Sequence, residues 1–335
     1  MKRALFGLIA VVIVSTAPHT KALGGGQCVP TGWNGLTAVL VNPGNVNGAT
    51  VAATNCDMGI YYDSTGTGGT VINAEIYGAL YYGVFVNGDA GAVSVDVLNS
   101  SIHNIGDSPL NGNQRGVGIY YRAYMLGGSA SGKVSGNQLR DYQKGGLVFN
   151  GQGTNVIAQN NIVEGQGPVA YIAQNGIQFG YGSSGSAMKN TVTGHSYMGT
   201  STVSGGIIVV GGAGYGSCPD GNPCAYTNGV QIVQNKVVNN DIGVWLTNID
   251  AASNPPADAT NIKVVNNTIS NKGLDNNYYG VGYQAGIADQ GNNDKLISNT
   301  ISGAGYDPLI FPLAWVMKID ADTSFTNRPK VHANK

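Results

Sequence analysis

Glutamate is almost missing from this chain. Glu75 and Glu164 are the only two among 335 residues, and all charged side chains together make up 10% of the sequence. Such a surface must be kept in water mainly by Asn, Ser, Thr and Gly, and its balance is not basic enough to suit a nucleic acid. Helical periodicity is missing as well. No segment carries the 3.6-residue apolar stripe of an amphipathic helix, which excludes leucine-rich and helical repeats. No cysteine pair has CxxC spacing, which argues against a thiolate zinc site, and no dense Asp cluster announces calcium. No cofactor is therefore predicted, with Ca2+ left open.

The N-terminal apolar run, residues 4 to 14, is too short to span a bilayer. It follows Lys2-Arg3 and precedes Thr20-Lys21-Ala22, so residues 1–22 read as a signal peptide cleaved after Ala22. The mature protein is expected to be secreted, extracellular or periplasmic, with no membrane span. No cysteine follows the cleavage point to carry a lipid anchor. In an oxidising compartment the four cysteines can pair. Three connectivities are open, of which the nearest-neighbour one, Cys28 with Cys56 and Cys218 with Cys224, is the simplest.

What the chain does have is a returning phrase, an Asn-centred slot followed two residues later by an aliphatic one. It reads Asn137-Gln138-Leu139, Asn160-Asn161-Ile162, Asn190-Thr191-Val192, Asn235-Lys236-Val237, Asn267-Thr268-Ile269 and Asn299-Thr300-Ile301, with degenerate copies ending at Ile76 and Ile102. Successive copies lie 26, 37, 23, 30, 45, 32 and 32 residues apart. That is a unit near 23 residues with insertions, the signature of a solenoid. A second strand signal follows one or two glycines in each unit, with inward Val84, Leu147, Ile177, Ile207 and Val244 beside outward Phe85, Val148, Gln178, Ile208 and Trp245. Short strands without helices predict an all-β parallel β-helix of about eight or more coils. Stacked Asn side chains could bond one another up the column, and Asn tolerates left-handed backbone.

With these repeats the chain resembles the right-handed parallel β-helix proteins of the pectate-lyase-like superfamily over residues 71 to 303. The resemblance implies the fold. It leaves function open, because that superfamily contains polyuronate lyases, C5-epimerases, glycoside hydrolases, phage tailspikes and non-catalytic surface proteins. The expected organisation is an N-terminal cap over residues 23–70, coils over 71–305 and a Pro-interrupted C-terminal cap over 306–335.

Aligning the coils on the phrase places the long insertions just after the aliphatic slot, so one flank is decorated. The same alignment puts Asp141, Glu164 and His195 on successive rungs of this flank, with Arg140, Tyr142 and Lys144 beside the first and His103 in the same column. Stacked titratable groups shift one another's pKa, which catalysis often needs; the plainer alternative is solvated turn residues. Arg115, Arg122, Lys133, Arg140 and Lys144 form a basic run inside a slightly acidic mature chain, which favours an anionic sugar chain as partner. Tyr120, Gln178 and Trp245 are outward positions suited to sugar faces. Three functions follow, led by a lyase that cleaves a uronate-containing polysaccharide by β-elimination. A lyase would use Lys144 or His195 as base, Arg122 or Arg140 to neutralise the uronate and Tyr142 as acid, and an epimerase would need almost the same parts. A glycoside hydrolase would use Asp141 and Glu164. A non-catalytic glycan-binding or structural surface protein would need neither.

Overall fold

The computed structural model describes residues 21–24, 27–273, 276, 283–306, 316–318 and 330–331. About half of the chain, 51%, is strand and 2% is helical. Among the described residues the strands form three sheets of eleven, nine and eleven strands. Pairing between these strands is parallel except where Val29–Pro30 meets Thr37–Val41, and an isolated antiparallel bridge joins Ser217 to Pro223. The chain visits the sheets in turn. One coil runs Ser129–Ser135 in sheet C, Gln138–Tyr142 in sheet A and Gly145–Asn150 in sheet B. The next runs Thr154–Gln159, Ile162–Val169 and Asn175–Gly180. Non-consecutive strands become neighbours because each pairs with its equivalent one coil later.

The inner face of all three sheets feeds one core. Val71, Ile76 and Val84 belong to it at the N-terminal end, and Leu296 and Ile301 at the C-terminal end. The inward residues Val84, Leu147, Ile177, Ile207 and Val244 are fully buried, each burial contributing roughly 1.5–3 kcal/mol. Their outward partners line up rung on rung, Phe85 with Tyr120, Val148, Gln178, Ile208 and Trp245.

At the turn from sheet C into sheet A the Asn side chains form a ladder. Nδ2 of Asn137 donates to Oδ1 of Asn161 at 3.0 Å, and the chain of amide bonds continues through Asn190, Asn235 and Asn267 to Asn299. Each Oδ1 also accepts the backbone N–H of the preceding ladder residue, and each Nδ2 reaches a carbonyl of the coil before, as Asn190 does with Ala158 at 3.0 Å. These amides are buried and satisfied, as buried polar groups must be. The left-handed residue is the one before each ladder amide: Gly136, Asn160, Lys189, Gln234, Asn266 and Ser298 all have positive φ, as does Asn99 before Ser100. In the coil of the Asn160-Asn161 doublet the ladder member is therefore Asn161, with Val163 inward and Ile162 facing out.

The rungs begin before residue 71. Ala49–Ala52 and Met58–Asp63, grouped with the cap in the sequence reading, already pair in register with Glu75–Tyr77 and Tyr82–Asn87. They lack the Asn phrase, which is why the sequence hides them. Disulfides join Cys28 to Cys56 and Cys218 to Cys224. Among the described residues no helix is long and apolar enough to cross a membrane.

Candidate functional site

The flank that counting from the aliphatic slot predicts does not assemble as one column, and the backbone shows why. Asp141, Gly194 and Asn239 have φ of 52°, 77° and 54°. A left-handed residue resets the two-residue alternation of a strand. The next side chain, Tyr142, His195 or Asn240, turns into the interior, and all three are buried. The Tyr142 and His195 rings stack with centroids 6.1 Å apart. Asn240 Nδ2 donates to the carbonyls of Val192 and Val238, so its Oδ1 faces His195. There it accepts from the His195 backbone N–H at 3.0 Å and from Nδ1 at 2.7 Å. The imidazole thus carries its proton on Nδ1, and Nε2 accepts the Tyr142 hydroxyl at 2.5 Å. Burial pulls the His195 pKa down to about 4, against the opposing bond from Asn240. The same burial, and then the Glu164 charge, hold the Tyr142 hydroxyl well above its ordinary range. Both groups belong to the core and neither can serve as the base or the acid that the sequence reading assigns to them.

The remaining candidates separate as well. Glu164 stands in register with Thr193, on the rung after Arg140, whereas Asp141 pairs with the Arg140 guanidinium. Arg122 is held by Asp89 at 2.6 Å and lies over the rings of Trp33 and Tyr124. Arg115 is bound to Asp107, with Nε 3.0 Å from Oδ2, and this guanidinium holds the Asp107 carboxyl well below its ordinary range. His103 lies on the outer face of sheet A, stacked on Tyr77 with Nε2 3.3 Å from Glu75. Tyr120 is almost covered, stacked on Phe85 at 5.1 Å. A cavity of about 550 Å³ beside Tyr77, Asn104, Asp107 and Gln166 takes in Asp141 alone of the predicted site residues.

The structure does bring Lys144, Gln178 and Trp245 together, in a trough of about 250 Å³ on the outer face of sheet B. Gln178, Ile208 and Trp245 form its floor on three successive rungs. Lys144, Ala173 and the Thr202-Val203 pair form one wall, each from the turn that enters sheet B. Tyr181 and Tyr215 form the other wall, from the turns that leave it, with ring centroids 6.3 Å apart. Gln178 is oriented by Asn150 at 3.0 Å, and Tyr215 by Thr247 at 2.5 Å. The Lys144 ammonium donates to the Ala173 carbonyl at 3.0 Å, and burial lowers its pKa.

Sequence reasoning missed Tyr215 and Thr247. Tyr215 stands in the long insertion after Gly205–Gly211, which the Cys218–Cys224 bridge closes; that bridge was the readable signal. Thr247 lies two residues beyond Trp245, so the outward parity of its strand gave it away. Among the described residues no group of three or more His, Cys, Asp or Glu side chains could hold a metal ion. Comparisons with protein-family models, with curated proteins and with solved structures gave no match.

Proposed function

We propose that this protein is a secreted right-handed parallel β-helix, a solenoid like those of the pectate-lyase-like superfamily, that binds a polysaccharide in the sheet B trough. One observation carries the reading. Flat aromatic rings on the floor and one wall, Trp245, Tyr181 and Tyr215, face a trough whose polar groups are an ammonium, amides and hydroxyls, set among the aliphatic side chains of Ala173, Val203, Ile208 and Val210. Rings stack on the apolar faces of sugars while fixed polar groups take the hydroxyls. Successive rungs about 4.8 Å apart give a linear chain a repeating floor. Secretion rests on the leader of residues 1–22. The strand Lys21–Gly24, paired with Ala49–Ala52, spans the expected cleavage point.

A second reading, elimination on a uronate chain, is favoured by Lys144 alone. An amine whose pKa burial has lowered is a better base near neutral pH. It would take the C5 proton as the C4–O bond breaks, and the leaving oxygen would take a proton from solvent. Calorimetric titration with neutral and uronate oligosaccharides tests binding, with Trp245→Ala and Tyr215→Ala expected to weaken it at least tenfold. Equal affinity in both variants would remove the trough as the site. Ultraviolet absorbance of an unsaturated product, abolished in Lys144→Met, would establish elimination in addition.

A further inference from the structure

The corner where sheet C turns into sheet A lies across the core from the trough, and four lysines crowd its C-terminal half. Lys189, Lys236, Lys263 and Lys295 are all exposed. None forms an ion pair with a described carboxylate. Lys263 stands directly beside Lys295 in parallel register, one rung of about 4.8 Å away. Like charges facing each other across a sheet destabilise it. Lys189 occupies the left-handed position of its bend, with φ 54°. At six of the nine equivalent bends that position is Asn or Gly, namely Gly48, Asn73, Asn99, Gly136, Asn160 and Asn266, the residue types that adopt it most readily. Two local penalties thus fall at one corner of a chain whose net charge is only −1. A bound anion would relieve the first and use the second.

We propose that this corner is a second carbohydrate site, one that takes a linear anionic polysaccharide by its charge. The side chains between the lysines favour a sugar polymer over a lipid surface. Ser186 and Gln231 share the outward line of Lys263, and Thr191 and Thr268 that of Lys236. These are hydrogen-bonding groups for hydroxyls. The exposed apolar side chains of the corner, Ile157 and Ile162, lie one coil to the N-terminal side, in register with Ser186 and Thr191, and the apolar line beside the lysines, Met188, Val233, Val265 and Ile297, is half-buried. A membrane-seeking face would carry large apolar residues among its cations.

The test is titration of the full chain with dextran sulfate and with polygalacturonate at low salt, repeated in the triple variant Lys236→Gln, Lys263→Gln, Lys295→Gln. Each ammonium near a polyanion contributes about fivefold, so the triple variant should bind roughly a hundredfold more weakly. The triple variant should bind neutral oligosaccharides as the wild type does, which separates this site from the trough. Unchanged affinity in the triple variant would overturn the proposal, as would a wild type that binds neither polymer. Equal binding to anionic phospholipid vesicles or duplex DNA would sink the assignment to polysaccharide. Should the triple variant lose its thermal transition, Lys263→Gln alone, expected to weaken binding about fivefold, decides the matter.

Discussion

Two buried titratable residues, in consecutive turns of the core, pull stability in opposite directions as pH changes. His195 has its pKa lowered to about 4 by burial. Below pH 6.5 the unfolded chain takes up a proton that the folded one refuses, so stability falls as pH drops from 6.5 towards 4. Asp241, whose backbone N–H donates to the His195 carbonyl, has its pKa raised to about 6, chiefly by burial. The unfolded carboxyl releases its proton near 3.8, so this residue's contribution is present at low pH and is lost as pH rises towards 6. Each effect is worth about 3 kcal/mol at most, and over pH 4 to 6 they nearly cancel. Asp241→Asn keeps an oxygen for the backbone N–H groups of Tyr197 and Ser204, which lie at 2.9 Å, and removes the charge. The variant should match the wild type near pH 4 and exceed it at pH 7 by up to about 3 kcal/mol in urea unfolding. An equal difference at both pH values would show that the carboxyl is not neutral in the acid fold. Lys144 poses a separate question at this scale. Lys144→Met keeps the aliphatic stem and should leave thermal stability within about 1 kcal/mol, because a buried amine costs desolvation that the single Ala173 bond offsets only in part. A loss of several kcal/mol would mean that Lys144 is there for the fold alone.

The asparagine ladder is the element in which sequence and structure agree most closely. Five of the six amides were readable because each sits at a fixed offset from an inward aliphatic residue, and in the sixth coil the phrase was read one residue early, at Asn160 in place of Asn161. Asn190→Ala would strand the backbone N–H of Asn161 and one of its two Nδ2 hydrogens, the other staying on the Val134 carbonyl, together with the Ala158 carbonyl. At about 1–3 kcal/mol for each orphaned group, a loss of about 3–6 kcal/mol is expected. Asn137→Ser should cost far less, since Asn137 Oδ1 accepts from the backbone of Ser100, and Ser100 itself holds the preceding turn with its hydroxyl on Ala74. Denaturant midpoints of the two variants check the order, and equal losses would count against a ladder that ends in a hydroxyl. The other flank was far less legible. There the left-handed residues Asp141, Gly194 and Asn239 reset the alternation, and sequence spacing alone does not say whether the next residue faces in or out. Counting placed His195 outside, and the fold puts it in the core. Lys144, Gln178 and Trp245 were named from parity and charge, but Tyr215 was not, because it arrives from a turn on the opposite flank.

On the scale of the whole molecule, three parallel sheets around one core separate the trough on sheet B from the lysine corner between sheets C and A. Neither site borrows a residue from the other, and the side chains between them are the close-packed aliphatics of the interior. Occupation of one should leave the other's affinity unchanged, so that the two proposed sites would make the molecule bivalent for glycan. A bivalent protein joins chains when the two partners are near equivalence and fails to when either is in excess. Light scattering of the protein mixed with a long polysaccharide that engages both faces should therefore rise and fall with the mixing ratio. Trp245→Ala and the triple lysine variant should each abolish the rise while retaining the affinity of the untouched face. Flat scattering at every ratio, with each face binding on its own, would mean that one chain wraps the coil and fills both sites at once.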